Sequence, residues 1–175
     1  MIRVIALSEF EQQTLDLVLK RLQNAYGVGT ELSRRASMPS EAYEPAADAY
    51  DAVKTLAEAE DVRTFGDDKI LFLTDRPLAL PVGPMGPGPV DGFADYGGLK
   101  AVATTAGLGE AKALPLPDGL AKRAARQVGH LFGLHHCYDA RCAMLPGWAE
   151  GFGQYPEVSL CPFCREKSER RIQQA

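Results

Sequence analysis

The sequence predicts an α/β fold: a sheet with parallel pairing among its first three strands, helices packed on it, and an irregular C-terminal third. Three observations carry the prediction. From Ile2 to Thr74, short apolar runs alternate with segments of helical periodicity, the pattern of strands joined by crossover helices. Between Arg76 and Gly98, five prolines and six glycines interrupt that rhythm. All four cysteines and all three histidines then fall between His130 and Cys164.

Ile2 to Leu7 is a β-branched run suited to a buried strand, and Ser8 with Glu11 forms a capping box for a helix beginning at Glu9. Phe10, Leu15, Leu17, Val18, Leu19 and Leu22 recur at helical spacing up to Ala25, and Gly27 marks the stop. Val28 to Arg34 is expected as a short second strand. Glu44 to Glu60 places Ala47, Tyr50, Val53, Leu56 and Ala57 on one face, which predicts a second helix with Pro45 in its first turn. Lys69 to Thr74 does not alternate, so it is expected as a strand buried on both faces.

The Pro/Gly-rich stretch from Arg76 to Gly98 is expected to form neither a helix nor a central strand. A long loop inside a compact domain is a candidate for function, although a passive surface excursion is as good a reading. Leu99 to Thr105 regains strand character and is expected to pair with residues near Val90 to Asp95 at the sheet edge. Asp118 to Leu134 is the third helix, with Pro117 and Asp118 as entry signals, Leu120, Ala124, Gln127 or Val128, and Leu131 on its face, and Gly133 at its end. Beyond it the chain is irregular as far as Cys161, where Pro162 opens a charged final helix, Cys164 to Gln174.

The 175 residues suffice for one domain with a real core and no disulfide staples. Nineteen Lys and Arg against 23 Asp and Glu give a net charge of −4, which argues against a protein that coats nucleic acid. The mean hydropathy of −0.16 is that of an ordinary soluble chain. The apolar run at Ile2 to Leu7 is too short for a signal peptide, and no stretch approaches the ~18 apolar residues of a membrane span. A cytoplasmic protein with no membrane partner is therefore expected. In a reducing compartment, regularly spaced cysteines hold metal more readily than they form disulfides.

Cys137 and Cys142 are separated by four residues, Cys161 and Cys164 by two. The close pair is a knuckle in which two thiolates can face one ion, and the wider spacing also suits structural zinc. Four thiolates close a tetrahedron, so such a site contributes folding energy rather than catalysis. Two disulfides or four buried thiols are the competing readings. A redox role for Cys161 and Cys164 is weaker, because the pair does not follow a strand in a thioredoxin-like unit.

The segment Arg126-Gln127-Val128-Gly129-His130-Leu131-Phe132-Gly133-Leu134-His135-His136-Cys137 resembles the long zinc-binding motif of the metzincin metallopeptidases, H-E-x-x-H-x-x-G-x-x-H. The Cys directly after the last His, the following Cys142, Met144 two residues later and the Cys161/Cys164 pair are similar to one branch, the archaemetzincins. The resemblance extends upstream through Thr74-Asp75 and the Gly92 to Thr105 segment. It implies a metzincin-like α/β fold with a twisted mixed β-sheet, an active-site helix and a cleft. It also implies a single domain over residues 1–175, comprising an N-terminal subdomain, 1–134, and a small irregular zinc-bound C-terminal subdomain, 135–175.

The sequence departs from that motif at two positions. Arg126 stands where the family has its first His ligand, and Gln127 where it has the catalytic Glu. A guanidinium stays protonated and has no lone pair to give a metal, and a carboxamide cannot take a proton from a metal-bound water. By resemblance, His130 and His136 are the residual ligands of a catalytic zinc, and Met144 takes the place of the methionine beneath the metal. His135 adds an imidazole in number but not in place, since consecutive residues of an extended segment point to opposite sides. A loop carboxylate could complete a triad with His130 and His136, or a loop acid could pair with Arg126; the sequence singles out neither.

Three functions follow as expectations. One is an archaemetzincin-type zinc peptidase working through an altered metal shell. The second, which the residues favour on mechanism, is a non-catalytic relative with one structural zinc and a peptide-binding groove, a second zinc at His130 and His136 being left open. The third is a zinc-stabilised interaction module using the basic residues Arg165, Lys167, Arg170 and Arg171. Glu166 and Glu169 interleave with those charges, so a solvated helix face explains them better and no nucleic-acid partner is expected. By resemblance, a peptide or protein substrate would lie in the cleft of a monomer, along Leu99 to Thr105 as edge strand, with residues 77–98 forming part of the rim.

Overall fold

The structure, a computed structural model, describes residues 1–59, 68–81, 87–108, 114–149 and 151–174. Five strands form the main sheet: β1 (Ile2–Ala6), β2 (Thr30–Arg35), β5 (Lys69–Thr74), β8 (Gly92–Ala94) and β9 (Lys100–Thr104). Their order is β2-β1-β5-β9-β8, with every neighbouring pair parallel except β8 and β9. The expected parallel pairing of the first three main-sheet strands is therefore present, with β1 between β2 and β5. The sheet is mixed because β8 returns antiparallel to β9, with Gly92 opposite Ala103 and Ala94 opposite Ala101.

The period-two alternation of the strands divides the core. Val4, Leu71, Leu73, Ala101 and Ala103 face α1 (Gln12–Tyr26) and α3 (Leu116–Leu131). Ile5, Ile70, Phe72 and Val102 face the other way, toward α2 (Ala52–Glu58) and Leu78. Leu15, Val18 and Leu22 of α1 and Leu120, Val128 and Leu131 of α3 are all but fully buried, each contributing about 1.5–3 kcal/mol of transfer free energy. Alanines 101 and 103 on β9 and 121, 124 and 125 on α3 are buried in this cluster, and their small side chains let the helix seat closely on the sheet. That helix carries the residues of interest.

Several expectations are corrected. The first helix starts at Gln12, and its N-cap residue, Glu11, makes no side-chain cap bond. Ser8 does not cap the helix, because its hydroxyl donates to Asp75 Oδ1 at 2.6 Å and lies 3.1 Å from Thr74 Oγ1, beyond the end of β5. Gly27 does end the helix, in the left-handed conformation at φ 66°. The helix expected over 44–60 is confined to α2, and residue 60 lies outside the described residues. Ahead of α2, β3 (Tyr43–Glu44) and β4 (Ala49–Asp51) form an antiparallel pair around a turn at Pro45, with Asp48 at φ 47°. Asp51 then caps α2 by accepting from the backbone N–H groups of Val53 and Lys54.

The Pro/Gly-rich stretch is not structureless where it is described. β6 (Leu78–Pro81) and β7 (Pro87–Val90) pair antiparallel and complete a second sheet in the order β3-β4-β6-β7. Thus β6 is an interior strand of that sheet, contrary to expectation. Pro87 and Pro89 are tolerated because β7 is an edge strand, where a missing donor costs little. Residues 82–86 of the stretch lie outside the described residues. The segment expected as the main sheet's edge, Leu99 to Thr105, contains β9, which lies inside between β5 and β8, so the edge is β8.

After α3 the chain has no regular element until α4 (Pro162–Gln173), two residues earlier than expected because Pro162 takes the first turn. Cys142, Met144, Val158, Leu160 and Cys164 nevertheless belong to the same buried cluster as α1 and α3.

Candidate metal centre and cleft

The four cysteines converge. Cys137 and Cys142 follow α3, and Cys161 and Cys164 lie at the start of α4, yet all four Sγ atoms lie within 4.8 Å of one another. The Cys137 and Cys161 sulfurs are 3.9 Å apart. A tetrahedron with metal–sulfur bonds of about 2.3 Å requires sulfurs about 3.8 Å apart, so the set can hold one ion with little adjustment. The backbone supports it: Cys161 N–H donates to Cys142 Sγ at 3.5 Å, and Cys142 pairs with Ser159 by a parallel bridge whose carbonyl accepts from Ala143 at 2.7 Å. Without an ion the site is awkward. Burial pushes the Cys142 thiol up to about 11 and raises Cys164 further, so a cation is needed to make four thiolates tolerable there. Among the described residues this is the one group of three or more His, Cys, Asp or Glu side chains that could hold a metal.

The second site lies along α3, in an open cleft of about 630 Å³ bounded by β8, α3 and the segment around Pro146 to Trp148. His130 is in the last turn of α3. Its Nδ1 is 2.8 Å from the Leu134 carbonyl, which can only accept, so Nδ1 carries the proton and Nε2 the lone pair. Gly133 at φ 72° makes the turn that returns the chain, and the rings of His130 and His136 come to 5.0 Å between centroids. Burial lowers the pKa of both imidazoles, and the nearby Arg126 guanidinium adds to this. His135 turns away and stacks on Tyr96 with ring centroids 4.8 Å apart. The Tyr96 hydroxyl donates to Gly133 O at 2.6 Å and so accepts from His135 Nε2 at 2.9 Å. Met144 is fully buried beneath the helix, its sulfur packed where a side chain at Gly129 would stand.

Arg126 is only 2% exposed. Its Nη2 pairs with Asp91 Oδ1, its Nη1 donates to the Leu145 carbonyl at 3.1 Å, and its guanidinium lies 5.7 Å from the centre of the Phe152 ring. The loop acid that pairs with Arg126 is thus Asp91, between β7 and β8. Gln127, 3% exposed, lies against the edge strand. A Cβ on Gly92 would stand 2.7 Å from Gln127 Nε2 and 2.6 Å from Val102 O, so only glycine lets the carboxamide and strand approach this closely. A side chain at Gly147 would collide with Asp91 Oδ2. Asp91, Gly92 and Gly147 were not identified from the sequence. An acid directly before a glycine at the end of a proline-rich run was the available signal.

A scan of protein-family models finds no match. A curated archaemetzincin from Saccharolobus solfataricus is 25% identical over an alignment of 181 residues, spanning 97% of this chain and 93% of the relative. The chain is thus similar to an archaemetzincin over nearly its whole length. Solved structures share the fold. An archaemetzincin from Methanopyrus kandleri superimposes with a TM-score of 0.75 at 22% identity, covering 98% of this chain and 94% of that one. A zinc-dependent peptidase from Methanocorpusculum labreanum gives 0.75 at 22% identity, covering 96% of this chain and all of the other. In this chain His130 and His136 line the cleft, and position 126 carries an arginine ion-paired to Asp91.

Proposed function

We propose that the chain is a non-hydrolytic archaemetzincin: a scaffold stabilised by one structural zinc at Cys137, Cys142, Cys161 and Cys164, whose cleft binds peptide without cutting it. The Arg126–Asp91 ion pair carries this reading, because it puts a buried, permanently protonated group where the family's first ligand would stand. Two imidazoles alone hold a catalytic ion poorly. The carboxylate beside them, Asp91, is already engaged by Arg126. Gln127 can hydrogen-bond a peptide or a water but cannot serve as the base.

Zinc fits the four-thiolate set in donor type, number and spacing, and when bound it supplies folding free energy and no open coordination position. The edge of β8 offers Gly92 to Ala94 for pairing with an extended peptide, and the same residues line the cleft. The charges of α4 read as a solvated face, with Arg170 paired to Glu166 one turn away.

Metal analysis of the purified protein is expected to give one zinc per chain, with no peptidase activity on a mixed peptide library. The double variant Arg126→His with Gln127→Glu is expected to hold two zinc ions and to gain hydrolysis. Two zinc ions in the unaltered protein together with metal-dependent cleavage would overturn the proposal.

A further inference from the structure

Among the described residues, the cleft carries two guanidinium groups and a single carboxylate. Arg123 and Arg126 lie three residues apart on α3, so they share one helix face. Among the described residues, Asp91 is the one acidic residue lining the cleft. Its Oδ1 pairs with Arg126, while its Oδ2 is 3.8 Å from Arg123 Nε, beyond hydrogen-bond range. Arg123 is 9% exposed and donates Nη1 to the carbonyls of Thr104 and Ala106 at 2.7 and 2.6 Å. Its Nε is buried without a hydrogen-bond partner. The carbonyls that accept from Nη1 carry no net charge, so one carboxylate is divided between two buried cations. Burial lowers the Arg123 pKa, the direction expected of a cation short of counter-charge.

We propose that the cleft selects acidic peptides, with a carboxylate of the bound peptide settling beside Arg123 and Arg126 in the place Asp91 only partly fills. This rests on the peptide-cleft reading above and adds the chemical class of ligand. Asp91, with its side chain 24% exposed, can turn toward solvent as the incoming carboxylate takes over its pairing. It is thus an internal competitor for the ligand's charge. The carboxylate can come from a glutamate or aspartate side chain or from a peptide C-terminus, since both present the same two oxygens to a guanidinium fork.

The test uses the zinc-loaded protein and its single tryptophan, Trp148, which lines the cleft and is 77% exposed, so its fluorescence reports occupancy. Three probes are titrated: a blocked, amidated alanine pentapeptide with one central glutamate, the same peptide with glutamine, and a blocked all-alanine pentapeptide with a free C-terminal carboxylate. One or both carboxylate peptides are expected to bind roughly tenfold more tightly than the glutamine peptide, with the advantage shrinking as salt is raised. Which one gains identifies the source of the carboxylate. Asp91→Asn, verified as folded by its melting curve, is expected to tighten binding of the carboxylate peptides further; should it not fold, the salt dependence of the unaltered protein decides. Equal affinity for all three peptides would overturn the charge inference and leave the peptide cleft standing. Absence of binding by any of them would overturn both.

Discussion

Asp91 and Arg126 are unequal partners. Arg126 lies under Phe152 and behind Leu145, with a side chain 3% exposed, whereas the Asp91 side chain is 24% exposed. Removing the acid leaves a buried cation without its counter-charge; removing the cation leaves an acid that can turn outward. Asp91→Ala is therefore expected to destabilise by about 2–4 kcal/mol and Arg126→Met by clearly less, since methionine keeps much of the packing volume. Urea unfolding of the two variants compares them directly. A larger loss for Arg126→Met would mean that the arginine's packing and its bond to the Leu145 carbonyl outweigh the ion pair. The need for such a partner was legible in the sequence, because an arginine at a buried helical position needs a counter-charge. Its identity was not, since Asp91 reaches α3 only through the fold of a segment that reads locally as loop.

Two glycines in helices make opposite demands on their surroundings. Gly27, ending α1 at φ 66°, has no atom within 4 Å of where a Cβ would stand, so Gly27→Ala meets only the cost of a left-handed residue, about 1 kcal/mol. Gly129, inside α3, would gain helix propensity as alanine, but its Cβ would collide with Met144 Sδ and lie 2.8 Å from Tyr26 Oη. Overpacking of that kind costs about 1–3 kcal/mol and outweighs the roughly 1 kcal/mol of propensity. Thermal melts are expected to show Gly129→Ala less stable than the unaltered protein; a raised melting temperature would mean that Met144 repacks without strain. Sequence patterns identified β1, β5 and α3 because one signal dominates each: unbroken apolar runs in the strands, a long amphipathic stripe in the helix. They failed at 44–51, where helical periodicity was present but Pro45 and the positive φ of Asp48 favour a hairpin. Edge and interior also could not be distinguished for Leu99 to Thr105, because strand order depends on where β8 returns.

At the scale of the whole molecule, the four cysteines decide how an irregular segment stays attached to a sheet it never joins. Cys142 and Cys164 share the cluster formed by α1 and α3, so loosening their site opens the same core that seats the cleft helix. Removing the proposed zinc with a strong chelator is therefore expected to lower the melting temperature of the entire transition, not to release the C-terminal segment alone. The pH dependence follows from the thiols. In the metal-free fold, burial pushes Cys142 up to about 11, so it is protonated at neutral pH and must lose its proton to bind the ion. Metal binding holds the thiolate form, lowering the effective pKa in the loaded state. The stabilisation is thus present at neutral and higher pH and is lost as acid returns the protons. Apparent zinc affinity, measured by competition with a chromophoric chelator, should rise between about pH 6 and pH 8 as more thiolate becomes available. An affinity flat across that window would mean the thiols are already ionised in the metal-free fold, and that burial does not hold them protonated.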